Sequence, residues 1–424
     1  MFSLRTLWHN QKQLFSPMVI MLLAVMFIEQ FVKGAVIVSI LPVYMQDELG
    51  FSAFLIGLTF SLLYIGDNLF RSPIGWLIDK AGYKKVTFAG VALIFLSVCM
   101  MASVSHPFWI VLSCVLLGIG SSPLWPCVIT AITKSMGEKA NGTTMSVIYM
   151  SWMTGVGLGP VTVNFFISDT FAAAFRILIV LSALTVVIAL FLPEDQAGKE
   201  ASEPEAASGL KRAGRSSAVD FAKLFEKLKT YLIEARRSIH IHWLFYPALF
   251  AHTFALGLLT PVLTLYARTV LKLSPAQYSY FLIAGGAITI LALLPVGKLV
   301  DRWGPRWFIN AGLILSSAAL LIFPFTLSLS VVLLLVTLTG VGYALLIPSW
   351  TAFVASVIPK EKRGAIWGFF LTIEGAGSVL GPVVSGKLWD TLGYRAPFLA
   401  GGLVLAVMFV LQLFIFVEKR VVVR

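Results

Sequence analysis

The chain has 424 residues, 58% hydrophobic and 12% charged, with a formal net charge of +12. A mean hydropathy of +0.90 excludes a water-soluble globule, because too few polar side chains exist to clothe one. The positive balance suits a basic face beside anionic lipid headgroups and does not point to nucleic acid.

Apolar runs long enough to cross roughly 30 Å of hydrocarbon as helices fall at about 17–46, 54–78, 86–105, 107–133, 143–167 and 174–193. A second six fall at about 244–267, 275–297, 308–327, 331–357, 365–388 and 396–417. The pattern predicts an all-α integral membrane protein of twelve transmembrane helices. The first run is too long for a signal-peptide core and carries Glu29 and Lys33 in its middle, so it reads as the first span. Cys99, Cys114 and Cys127 lie inside spans without metal-ligand spacing, so neither a disulfide framework nor a metal site is expected.

Between the two sets of spans the composition changes. The stretch EDQAGKEASEPEAASG is too poor in apolar residues to fold. From Asp220, Phe221, Leu224, Phe225, Leu228, Tyr231 and Leu232 recur at helical spacing among lysines and arginines, as in an amphipathic helix on the inner leaflet. The expected organisation is an N-terminal six-helix half (1–193), a cytoplasmic linker with an amphipathic helix (194–243) and a C-terminal six-helix half (244–424). A plain tether is the first reading of the linker and lipid-sensing regulation the second. Most of the 32 Lys and Arg residues fall in the termini, the linker and one set of short loops. That pattern predicts a plasma-membrane protein with both termini in the cytoplasm.

The two sets of spans are copies. Displaced by 222 residues, Gly75, Asp79 and Gly82 fall on Gly297, Asp301 and Gly304, and Gly118, Gly120 and Pro126 on Gly340, Gly342 and Pro348. The register still holds at Gly159-Pro160 over Gly381-Pro382. Parallel membrane halves of this kind are how secondary transporters build alternating access.

The loop after the second span reads GWLIDKAGYKK, and its copy after the eighth reads GKLVDRWGPRW. Together with the repeat, the span count and the long central loop, this pair resembles the cytoplasmic signature of the major facilitator superfamily. Gly75 and Gly297 would permit close helix packing. Asp79 with Lys80 and Gly82, and Asp301 with Arg302 and Gly304, would form a latch holding one of two packings. In the fifth span, Gly155, Gly157, Gly159 and Pro160 in SWMTGVGLGP resemble the motif of antiporters in that superfamily, and equally suit simple helix packing.

Ionisable residues inside spans are costly unless they face a partner or water. Glu29 and Lys33 sit one turn apart on the first span and can pair, as can Asp67 and Arg71 on the second. Asp67 lies about 18 Å along the helix from Asp79, at 1.5 Å per residue, which puts it near mid-membrane. Glu29 and Lys33 come out at similar depth, so four alternating charges make a polar N-half cavity. Asp67 is the leading candidate for a proton-titrating group, open to tuning by Arg71 or Lys33, with a purely structural ion-pair network as the alternative. Glu374 stands in the eleventh span, and Trp125, Trp152 and Trp350 offer aromatic surface for a sugar or an amphipathic ligand. His252 reads as a core histidine before a proton carrier.

Several segments are similar to one branch of the superfamily, the proton-coupled glycolipid flippases of lipoteichoic acid assembly. They are EQFVKG, YIGD, SPLW, YMSW, IPSWTAF and WGFFLTIEGAGSVLGP. The resemblance implies that Lys33, Asp67, Trp125 and Trp152 line an N-half pocket for headgroup and proton, while an apolar C-half accepts acyl chains. Three positions depart from that branch: Gln30 stands where it has an acid, with Glu29 one residue early; Lys33 replaces an arginine; Glu374 replaces a glutamine. By the 222 offset, Ala251, Ala255, Thr289 and Leu293 are the C-half mates of Glu29, Lys33, Asp67 and Arg71. The expected activity is proton-coupled export or flipping of an amphipathic, glycolipid-like substrate. The alternative is a multidrug-type proton antiporter for efflux of small lipophilic compounds. Neither reading involves an enzyme, a cofactor or nucleic acid; the proton gradient is the energy source, the bilayer the surroundings and a monomer the expected unit.

Overall fold

The computed structural model describes residues 16–70, 74, 77–78, 80–136, 142–167, 170–193, 243–357 and 363–422. Among them there is helix and no strand. The first half contains α1 (Pro17–Glu48), α2 (Ala53–Leu69), α3 (Tyr83–Ser103), α4 (Pro107–Ser121, continued after a turn as Leu124–Met136), α5 (Gly142–Asn164) and α6 (Ala172–Leu190). The second contains α7 (Phe245–Val270), α8 (Pro275–Trp303), α9 (Pro305–Phe325), α10 (Leu329–Val357), α11 (Arg363–Leu392) and α12 (Ala396–Val422). Ten are long and apolar enough to cross a membrane. Of the other two, α2 has 17 described residues in its helix. α5 is long enough but carries four glycines, several hydroxyl residues and a proline. Most of the linker expected at 194–243, with its amphipathic helix, lies outside the described residues, as do Arg71, Gly75 and Asp79.

Local chemistry sets the helix starts. Ser52 caps α2 by accepting from Leu55 N at 3.3 Å. Its repeat mate Ser274 caps α8 with Gln277 in a reciprocal capping box. Gly82 and Gly304, at φ 79° and 78°, make the tight turns into α3 and α9 that a side chain would strain.

The 222 offset is physical in the helix contacts. A Cβ on Gly118 would strike the Leu63 carbonyl, and one on Gly340 would strike that of Gly285, 222 residues on. Gly90 and Gly120 approach each other as Gly312 and Gly342 do. The matching wide turns Tyr44–Glu48 and Tyr266–Val270 extend the register back to Tyr44.

It slips by one residue inside α1. Phe27, Gln30 and Phe31 pack over Gly155, whereas Phe250, Thr253 and Phe254 pack over the mate Gly377. The extra residue is taken up by a π-helical segment, Ala35–Ile40, for which α7 has no equivalent. The mates of Glu29 and Lys33 are therefore His252 and Leu256, and the extrapolated Ala251 and Ala255 are wrong by one position, because a π-bulge is a single-residue insertion.

Each half has its own buried core, and among the described residues the halves meet along α1 with α7, α5 with α8 and α2 with α11. Thr264 Oγ1 donates to Val38 O at 2.5 Å between α7 and α1, and Ser279 Oγ to Val161 O at 2.9 Å between α8 and α5. Along α2 and α11, Val383 N donates to Ser61 Oγ at 3.2 Å. At the end of that pair, Ala53 N and Phe54 N donate to the two carboxylate oxygens of Asp390 at 3.1 and 2.8 Å. A carboxylate from one half thus caps a helix of the other, where the N-terminal dipole favours it.

Candidate membrane-embedded ion-pair site

Gly66 and Gly118 let the backbones of α2 and α4 meet: a Cβ on Gly118 would strike the Leu63 carbonyl and lie 3.1 Å from Asp67 N. That approach leaves Asp67 6% exposed. On α1, Gly34 fits against Val156 of α5, where a Cβ would come within 2.7 Å of the Val156 carbonyl oxygen. With α1 so placed, Lys33 Nζ reaches Asp67 Oδ2 at 2.9 Å, a salt bridge between helices.

The local pair open to Glu29 and Lys33 is not formed. Glu29 is 1% exposed and accepts a hydrogen bond from Thr185 Oγ1 on α6. A fully enclosed carboxylate takes the hydroxyl packed over it, while the longer lysine reaches the charge on α2. The four-charge arrangement is thereby reduced, among described residues, to one cross-helix pair and a separate acid hydrogen-bonded at one of its two oxygens. Of the two cations open to Asp67 in the sequence, Lys33 is the one that meets it here, and Arg71 is outside the described residues.

On α4 and α5, Trp125 and Trp152 meet edge to face with centroids 6.1 Å apart, and Tyr149 completes the cluster at 4.9 Å from Trp125 and 6.5 Å from Trp152. Both helices pack on α1. Tyr149 went unmarked in the sequence, although its spacing of three from Trp152 puts the two on one helix face. Thr185, Asn68 and Asp390 were likewise missed, each being a neutral or terminal residue whose role depends on a neighbouring helix.

In the C-half, Trp350 is 3% exposed and stacks on Phe245 within the core. Its Nε1 donates to Glu374 Oε1 at 3.1 Å. The indole is thus a buried strut to the acid, with little open face for a ligand. In the last turn of α8, not in a loop after it, Asp301 and Arg302 are exposed, and no atom lies within 4 Å of where a Gly297 Cβ would be, so that glycine makes no close contact. Lys80 is also exposed. Gly155 and Gly159 seat Phe27 and Phe31 of α1, and Gly157 faces Ile290 of α8 instead. Gly381 meets Gly257 of α7, while the Pro382 carbonyl meets Gly57 of α2 and that of Pro160 accepts from Ser39 at 3.1 Å.

Comparisons with known proteins agree with one another. The family model described as Major Facilitator Superfamily matches residues 22–251 and 245–423. The proton-coupled antiporter flippase LtaA of Staphylococcus aureus (strain USA300) is 28% identical over 375 residues, covering 87% of each chain. Among solved structures, the nucleoside transporter NupG superposes with a TM-score of 0.70 at 17% identity, covering 95% of this chain and 99% of that one. A POT family transporter in complex with 5-aminolevulinic acid gives 0.71 at 16% identity, covering 95% and 96%. At such identities the structural likeness establishes the fold alone.

Proposed function

The chain belongs to the Major Facilitator Superfamily, and from that premise we propose that it is a proton-coupled exporter that flips an amphipathic, glycolipid-like substrate by alternating access. The observation that carries this reading is the Lys33–Asp67 pair, 2.9 Å long and nearly buried. While Asp67 is ionised the pair can take a headgroup, the carboxylate accepting from a sugar hydroxyl and the ammonium donating to a neighbouring headgroup oxygen. A proton on Asp67 removes the negative charge, breaks that shared contact and releases the headgroup. Loss of the proton restores the binding form, so proton and substrate occupy the site in turn, as export against an entering proton requires. The Trp125–Tyr149–Trp152 cluster offers ring faces against which the C–H faces of a sugar can stack. The similarity to a proton-coupled antiporter flippase supports the same reading. Both termini would be cytoplasmic, in a bacterial cell membrane, with residues 194–243 as a tether and a monomer as the working unit.

Glu374, half-buried on α11, favours a second reading, a multidrug-type antiporter, since a carboxylate in an otherwise apolar half suits a lipophilic cation. Proteoliposomes with an imposed pH gradient separate the two. A fluorescent diacylglycerol-linked disaccharide should cross the bilayer faster with the gradient than without it, and should be competed by its unlabelled form but not by free disaccharide or free fatty acid. Gradient-driven movement of a lipophilic cation with an unmoved glycolipid would select the second reading.

A further inference from the structure

One ionisable group that the ion-pair site leaves unexplained lies in the C-half. His252 on α7 is enclosed with neither ring nitrogen hydrogen-bonded, and its ring lies 5.2 Å from that of Trp350, tilted by 32°. The same indole donates to Glu374 Oε1. One residue on, Thr253 Oγ1 donates to the Glu374 carbonyl at 2.6 Å, which ties α7 to α11 at this level. Imidazole and carboxylate therefore flank a single indole.

The repeat gives the position meaning. Once the π-bulge of α1 is counted, His252 is the mate of Glu29, and Glu29 likewise keeps one oxygen, Oε2, without a partner. The first helix of each half thus carries a buried ionisable group at the same point. Buried polar groups left unbonded are uncommon and call for a role. Trp350 is 3% exposed, so little beyond a proton fits between these groups.

We propose that His252, Trp350 and Glu374 form a second proton-binding site, in the C-half and separate from the Lys33–Asp67 pair. A proton from water adds to a free imidazole nitrogen of His252, and the Glu374 carboxylate, half-buried on the neighbouring helix, is the counter-charge. Trp350 sets their spacing. The other groups on packed elements are few. α10 adds Tyr343, two turns from Trp350, and α7 itself adds Tyr246. The stretch Ala396–Ile415 of α12 has no charged or titratable side chain. Across the seam Asn68, next to Asp67, packs on Gly375.

The test needs no knowledge of the substrate. The full chain, with ring-labelled histidine and with His9, His106, His240 and His242 replaced by Gln, is placed in lipid nanodiscs and followed by NMR from pH 8 to pH 5. The His252 ring should titrate as one proton, with a midpoint that moves by about one pH unit in Glu374→Gln and stays in place in Asp67→Asn. Should Glu374→Gln fail to fold, Trp350→Phe carries the same comparison, because it deletes the N–H that holds Glu374. A ring that does not titrate in this range, a midpoint unmoved by Glu374→Gln (or by Trp350→Phe in its place), or a midpoint moved by Asp67→Asn overturns the site. Because Asp67 is scored separately, failure here leaves the N-half exchange mechanism standing, and failure there leaves this site standing.

Discussion

Replacing Lys33 with Met leaves the Asp67 carboxylate on the packed face of α2 without the ammonium now 2.9 Å away. Removing one partner of a buried pair typically costs about 3–5 kcal/mol. The side chains here keep 13% and 9% exposure and Asp67 has a further interaction, so the low end applies, about 3 kcal/mol. Asp67→Asn strands the ammonium and should cost a similar amount. The double replacement Lys33→Met/Asp67→Asn removes both charges and should cost no more than either single change, a coupling of about 3 kcal/mol or roughly two orders of magnitude in the folding equilibrium. Equilibrium unfolding in mixed micelles, by rising SDS mole fraction and read by tryptophan fluorescence, measures all four corners of the cycle. Single effects that add to within about 0.5 kcal/mol would refute the assignment of the pair as the charge link between α1 and α2.

Three further outcomes are expected. Asp390→Asn weakens the cap that α11 places on α2 by about 1 kcal/mol, which should shift the two-state population about fivefold toward the form open at that end; labelling of cysteines introduced near Gly50 reads it. Gly159→Ala should prevent recovery of monodisperse protein on gel filtration, because the new Cβ meets the Phe31 carbonyl, whereas Gly297→Ala, with nothing within 4 Å, should be neutral or slightly stabilising. Trp152→Ala should weaken glycolipid competition about tenfold, and Trp152→Phe by less, since one ring face is kept.

Much of the fold could be read in the sequence because membrane spans and repeat glycines are properties of single segments and fixed offsets. Gly118 over Gly340 is legible without knowing that each meets a carbonyl of a neighbouring helix. Partner choice is a different matter. A local rule ranks Lys33 first for Glu29, but the carboxylate instead takes a hydroxyl from α6 at one oxygen, which no spacing on α1 could indicate. Depth along the helix put Lys33 and Asp67 at one level and gave no information on which way either faced. The π-bulge was hidden for another reason: it is a backbone hydrogen-bonding change that carries no residue signature, and it moved the symmetry mate of Glu29 from an alanine to His252. Trp350 looked like a ligand plate because tryptophan near a proline suits one; packing by Phe245 and a bond to Glu374 made it part of the core.

The central claim is that Asp67 exchanges a proton for substrate contact at Lys33. Proton entry into proteoliposomes, recorded with an entrapped pH dye while diacylglycerol-linked disaccharide is supplied, tests it most directly. The wild-type chain should show substrate-dependent proton movement, and Asp67→Asn, folded and inserted to the same extent, should show none. Undiminished substrate-dependent proton movement in Asp67→Asn would contradict the account.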